Sequence, residues 1–184
     1  MRIDAGSHRG IRLATPEGLD TRPTSDRARQ AVFNILVHTY DAIRDAKVLD
    51  VFAGSGAMGL EALSRGAERA SFLESDRNAA EAIKKNIAAC REQPRAQLFV
   101  HDALRPPRAA ANWGPASLLF LDPPYGKDLL VPALAALRDA EWIAPEALLV
   151  AEMHRSNAFA APEGFEMLDD RKYGKTRMVL LRAS

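Results

Sequence analysis

Asp50-Val-Phe-Ala-Gly-Ser-Gly-Ala-Met-Gly59 decides the fold. Residues 47–52 read as a short apolar strand and residues 58–64 as a helix closed by Gly66, so the glycines fall at a strand-to-helix junction. Gly54, Gly56 and Gly59 satisfy the G-x-G-x-x-G spacing. The first allows a tight turn, the second lets a ligand approach the backbone, and the third lets the helix pack closely. Glu74 lies 20 residues past Gly54, at the expected tip of the next strand, where a carboxylate can accept both hydroxyls of a ribose. With Phe52 and Ala53 at its entrance, the loop reads as a site for an adenosine-type cofactor.

Outward from this unit, strands and helices alternate. Strands are expected at residues 69–74, 97–100, 117–121 and 147–152, and helices at 77–90 and 129–137. The first of these helices carries its apolar face at Ala79, Ala82, Ile83, Ile87 and Cys90. This order predicts an α/β, Rossmann-like parallel sheet with helices on both faces. Residues 165–173 and 176–181, joined at Gly174, read as an antiparallel hairpin on one edge.

The start of the chain has a different character. Apolar residues around Ile3 and from Ile11 to Leu13, separated by Gly6 and Gly10, predict a small hairpin. Apolar positions 28, 31, 32, 35 and 36 then mark an amphipathic helix, with Thr24 or Ser25 as its N-cap. Residues 1–40 are therefore expected to form an arm and helix on the substrate side, contributing little to the core, with the main domain at 41–184.

Asp50 selects the cofactor. A dinucleotide would lay its pyrophosphate on this loop, where a carboxylate repels it; S-adenosylmethionine instead presents a cationic sulfonium and an ammonium. With 184 residues there is also no room for the substrate domain of a nicotinamide enzyme. Asp102 and Ala103, just past a strand, are candidates to bind the adenine amine, although an acid there also serves as a turn residue or helix cap.

Asp122-Pro-Pro-Tyr125 follows an apolar strand directly. Two prolines fix φ and make a rigid, extended segment at the carboxyl edge of the sheet, where open α/β folds bind ligands. Such rigidity suits methyl transfer to the exocyclic amine of a base, whose lone pair is delocalised into the ring. The Asp122 carboxylate and the Pro123 carbonyl can hold the amine protons, Pro124 stiffens the segment, and the Tyr125 ring can stack on the base. The base must be flipped or already unpaired. Glu152, at the end of a later strand, can shape the same pocket.

Composition narrows the setting. Apolar residues make up 47% and charged residues 27%, enough for one core, and the net charge of +1 gives no global attraction to polyanions. The single cysteine, Cys90, excludes an intrachain disulfide, and His38, His101 and His154 lack metal-ligand spacing, so no metal is expected. No apolar run approaches the roughly 18 residues that span a bilayer, so a cytoplasmic protein without membrane partners is expected.

Taken together, Arg22-Pro-Thr24, the stretch from Asp50 to Ala67, Glu74 and Asp122-Pro-Pro-Tyr125 resemble the bacterial RsmD family, the guanine-N2 methyltransferases of small-subunit (16S) ribosomal RNA. The resemblance covers nearly the whole chain. It implies a seven-stranded methyltransferase sheet, S-adenosylmethionine as donor, and a guanine of 16S rRNA presented in the small ribosomal subunit or an assembly intermediate. The tetrapeptide alone also fits an adenine-N6 methyltransferase acting on DNA or RNA, and a nucleic-acid-binding protein that keeps the cofactor only structurally is a third reading.

RNA contacts are expected from Arg2, Arg9, Arg12 and Arg22 in the arm, joined by His8. Residues 171–184 add Arg171, Lys172, Lys175, Arg177 and Arg182 with no acid among them. They read equally as an RNA grip and as solvated edge-strand charges that discourage aggregation. The enzyme is expected to act as a monomer.

Overall fold

The computed structural model describes residues 1–16 and 23–184, with side chains from residue 27 onward in the second stretch. Arg22 and the side chains of Thr24 and Ser25 lie outside the described residues. The strands are β1 (Lys47–Val51), β2 (Arg69–Leu73), β3 (Ala96–Phe99), β4 (Ala116–Leu121), β5 (Ile143–His154), β6 (Phe165–Tyr173) and β7 (Thr176–Ala183); the helices are α1 (Pro23–His38), α2 (Ala57–Ser64), α3 (Arg77–Ala89) and α4 (Leu130–Asp139). They build one seven-stranded sheet in the order β3-β2-β1-β4-β5-β7-β6. The first five strands run parallel, and β7 is antiparallel to both β5 and β6. The Rossmann-like α/β fold with an edge hairpin is thus observed as expected.

Alternation along the strands sends side chains to two cores. Val48, Phe72 and Phe120 meet Phe33 and Leu36 of α1, Leu60 and Leu63 of α2, and Ile83 and Ile87 of α3. Leu49, Val51, Leu119 and Leu121 meet Leu130, Leu134 and Leu137 of α4 on the other face, beside fully buried Trp142. Burial on both faces explains the nearly unbroken apolar runs of the central strands. Among the described residues no helix is long and apolar enough to cross a membrane.

Some boundaries differ from the sequence expectation for local reasons. β1 stops at Val51 because Phe52 has φ +58, outside extended geometry. α1 begins at Pro23, which puts Thr24 and Ser25 inside its first turn instead of at the cap. Proline suits that position because the first N–H groups of a helix have no intrahelical partner.

The predicted N-terminal hairpin is present, with Arg2 bridged to Arg12 and with Ile3 N–H donating to the Ile11 carbonyl at 3.0 Å. Its relation to the core corrects the expectation. Ile3 and Leu13 are buried in the core that holds α1, α2 and α3. The Asp4 and Ala5 N–H groups donate to the fully buried Glu61 carboxylate at 2.7 and 3.1 Å. Gly6, with φ +82, passes so close to α2 that a Cβ would lie 1.8 Å from the Ser64 carbonyl oxygen. Only glycine allows this approach. The chain then continues past α3, where buried Asn86 accepts from the Ala14 N–H and donates to the carbonyls of Ala14 and Ser55, all within 2.7 to 2.8 Å. The arm is short, so its apolar side chains find burial only against the main body.

Candidate active site

The register of the sheet sets out the site. Leu73, Val51, Leu121 and Ala151 are the last parallel partners across β2, β1, β4 and β5. The next residues, Glu74, Phe52, Asp122 and Glu152, therefore form a row along the carboxyl edge.

At the centre of this row the chain turns into α2 through Gly54 and Gly56, both at positive φ. Gly56, the N-cap, has no side chain to satisfy the orphan N–H groups of the first turn. Asp50 does so from the strand below: its Oδ2 accepts from the Gly59 N–H at 3.0 Å. Gly59 itself is required for packing, since a Cβ there would stand 2.5 Å from the Phe72 ring. Burial of Asp50 pushes its carboxyl up to about 8, with the nearby Glu74 charge adding to the effect and the Gly59 hydrogen bond opposing it. Glu74 receives two backbone donors, Gly54 N–H on Oε2 and Asp76 N–H on Oε1, each at 2.8 Å. It thus holds the loop in shape while facing the cleft.

That cleft, of about 740 Å³, is lined by Asp50, Phe52, Ala53, Gly54 and Glu74 at one end and by Asp122, Pro123, Pro124 and Tyr125 at the other. The structure so brings together most of the residues predicted from the sequence. Gly56 lies beneath, where an added Cβ would press on Phe72 and Ile83. Asp102 and Ala103 do not line the cleft. Asp102 is exposed and accepts from the Leu104 N–H at 2.9 Å, the ordinary turn chemistry of an acid after a strand, and Ala103 is buried in the core beneath. Ser75, Asp76 and Asn78 line the Glu74 end instead. Their signal in the sequence was Asp76, which caps α3 by accepting from the Ala79 N–H at 2.8 Å.

At the other end, Asp122 N–H donates to the Val51 carbonyl at 3.4 Å, and Pro123 is buried. Tyr125 is 37% exposed, and its hydroxyl donates to Glu152 Oε1 at 3.0 Å. Thr176 Oγ1 donates to the same oxygen at 3.3 Å, and the His154 ring stands edge-on to the tyrosine at 5.8 Å. Partial burial pushes the Tyr125 hydroxyl upward, the Glu152 and Asp122 charges act in the same sense, and a Thr176 hydrogen bond opposes them, so the phenol stays neutral. Thr176 and Met178 reach the cleft on β7. Sequence reasoning missed them because their antiparallel pairing with β5 leaves no local pattern.

The lining has a definite charge. Four carboxylates, Glu74, Asp76, Asp122 and Glu152, and the protonated Asp50 face one described basic side chain, Arg29, which is held by Asp4 at 3.0 Å and by the Arg2 carbonyl at 3.1 Å. Such a lining suits a cationic sulfonium and ammonium, and opposes a pyrophosphate. The residues present therefore fit S-adenosylmethionine. Among the described residues no group of three or more metal-ligating side chains is arranged to hold a metal ion.

Arg2, Arg9 and Arg12 are all exposed. Arg2 and Arg12 oppose one another across the hairpin, an arrangement of like charges that costs stability unless an anion relieves it. His8 is instead bound to buried Glu92, which Arg95 also holds. Two of the C-terminal basic residues have acids beside them in space although none lies in their own segment. Arg177 makes two hydrogen bonds to Asp170, at 2.9 and 2.8 Å, and Arg171 pairs with Asp169 at 2.8 Å.

A Rossmann-like sheet with an acidic cofactor loop and an Asp-Pro-Pro-Tyr turn in one cleft defines a methyltransferase. The family model described as Conserved hypothetical protein 95 matches residues 1–182. The chain belongs to this family, the RsmD family that its motifs resemble. It is 39% identical over 157 residues to Ribosomal RNA small subunit methyltransferase D of Escherichia coli K12, covering 85% of this chain and 76% of that protein. It is 33% identical over 175 residues to the protein of the same name from Haemophilus influenzae, covering 95% and 89%. The solved structure of yhhF from Escherichia coli superposes with a TM-score of 0.86 at 35% identity, over 100% of this chain and 98% of that one.

Proposed function

We propose that this protein transfers a methyl group from S-adenosylmethionine to the N2 amine of a guanine in 16S rRNA, within the small ribosomal subunit or an assembly intermediate. The observation that carries this reading is the edge row that joins Glu74 to Asp122 through Phe52 in one cleft. It supports a donor end and an acceptor end within reach of one another. The names of the relatives, ribosomal RNA small subunit methyltransferases, support the substrate.

When bound, the donor supplies an electrophilic methyl group on a sulfonium. Asp50 would hold its ammonium and Glu74 its ribose hydroxyls. On the acceptor side, the Asp122 carboxylate and the Pro123 carbonyl accept the two amine protons and turn the nitrogen lone pair toward the methyl group, with the base stacked on Tyr125. The Asp122 carboxylate would stabilise the positive charge that grows on the amine as it is methylated and take up the proton that the nitrogen releases. Residues 1–40 would serve as the substrate-side extension to the domain at 41–184, with Arg2, Arg9, Arg12 and Arg22 on RNA phosphates. The protein would act as a monomer in the cytoplasm.

The test is methylation of small-subunit particles from cells lacking the protein, followed by nucleoside analysis. N2-methylguanosine is expected. N6-methyladenosine, or no transfer to the particles, would overturn the reading.

A further inference from the structure

Asp122 and Glu152 stand side by side at the edge of the sheet. Leu121 and Ala151 are register partners on β4 and β5, and the residue after each is an acid that lines the cleft. Glu152 is fixed in position: its Oε1 accepts from both the Tyr125 and Thr176 hydroxyls, at 3.0 and 3.3 Å. Both acids face the cleft, where each can accept a hydrogen bond from a ligand.

We propose that Glu152 is the guanine-selecting residue, accepting the ring N1–H while Asp122 accepts from the N2 amine; this rests on the guanine-N2 reading above. In guanine the amine on C2 is flanked by N1–H, so the two donors leave the Watson–Crick edge in the same direction. A pair of adjacent carboxylates matches them. In adenine the amine on C6 is flanked by N1 with a lone pair, which a carboxylate repels. The tetrapeptide can hold either amine, and the acid from β5 decides between them.

The experiment places 2-aminopurine at the nucleotide that the wild-type enzyme methylates, in a reconstituted small-subunit particle. This base keeps the N2 amine but presents an acceptor at N1. Wild type is expected to prefer guanine in kcat/KM by about 100-fold or more, as a site built around a substrate N–H does. In Glu152→Gln the amide oxygen can still accept from Tyr125 and Thr176, and the NH2 group now meets ring N1. The preference should then fall to within a few-fold or invert, with AdoMet affinity unchanged. Thr176→Val, which removes one of the two donors that orient Glu152, should lower the preference several-fold and serves if the first variant does not fold. Equal use of both bases by wild type would overturn the proposal. So would a variant that slows both bases by the same factor, because Glu152 would then only anchor Tyr125. N2-methylguanosine with an unaltered preference in the variants overturns the role of Glu152 alone; N6-methyladenosine from wild type overturns the function and this role together.

Discussion

Asp50, near the end of β1, caps α2 from below by accepting the Gly59 N–H at 3.0 Å. The same carboxyl is proposed to meet the ammonium of the donor, so its protonation state couples three things: the helix, the cofactor and pH.

The pH consequence is specific. Burial pushes the folded carboxyl from the ordinary 3.8 up to about 8, so between those values the folded protein keeps a proton that the unfolded chain releases. This stability contribution is complete below the lower value and is lost as pH rises through the upper one. The ammonium of the donor favours the ionised form, so binding at pH 6 to 7, roughly below the titration range of an α-amino group, should eject a proton. Calorimetry in buffers of different ionisation enthalpy reads this directly. A binding enthalpy independent of buffer would contradict the role of Asp50. Asp50→Asn should keep the helix contact and weaken S-adenosylmethionine binding by about 1 to 3 kcal/mol, the usual value of a charge-assisted contact.

Asp122 is proposed to act on the acceptor, so its loss should appear in turnover. Asp122→Ala is expected to abolish most methyl transfer while S-adenosylmethionine affinity stays within a few-fold, because the contact strengthens in the transition state. Asp122→Asn should keep part of the activity through its amide oxygen. Near-normal single-turnover rates in the alanine variant would rule out this chemistry.

The arm offers a pair of contrasting variants. Arg2, Arg9 and Arg12 are exposed, so replacing all three by alanine should leave the melting temperature nearly unchanged. Affinity for small-subunit particles should fall, and its salt dependence should flatten by roughly 0.7 to 0.9 log units per lost phosphate contact. An unchanged salt slope would remove these arginines from the RNA interface.

Gly6→Ala should behave in the opposite way. A Cβ placed 1.8 Å from the Ser64 carbonyl must push the hairpin off α2. A stability loss of about 2 to 4 kcal/mol is expected from lost burial of Ile3 and Leu13. Denaturant titration checks it, and a wild-type midpoint would show that the hairpin docks by other contacts.

Much of this architecture was legible because it is local. The strand, glycine loop and helix around Asp50 announce themselves by spacing, and Asp122-Pro-Pro-Tyr125 by its prolines. What was hidden depends on distance along the chain or on backbone detail. Thr176 meets Glu152 only because β7 inserts antiparallel beside β5. Asp102 misled because a turn acid and an adenine ligand look alike in sequence, and only the course of the cleft separates them. The arm was read as peripheral from its charges, whereas Ile3, Leu13 and Gly6 tie it to the core.

Asn86 binds both the strap at Ala14 and the glycine loop at Ser55 through a single buried amide. The two segments thus share one fastening on α3 and are not interchangeable parts. A chimera that borrows the arm from a relative should succeed only when the α3 segment travels with it, and substitutions on either side of Asn86 should be non-additive in double-mutant cycles.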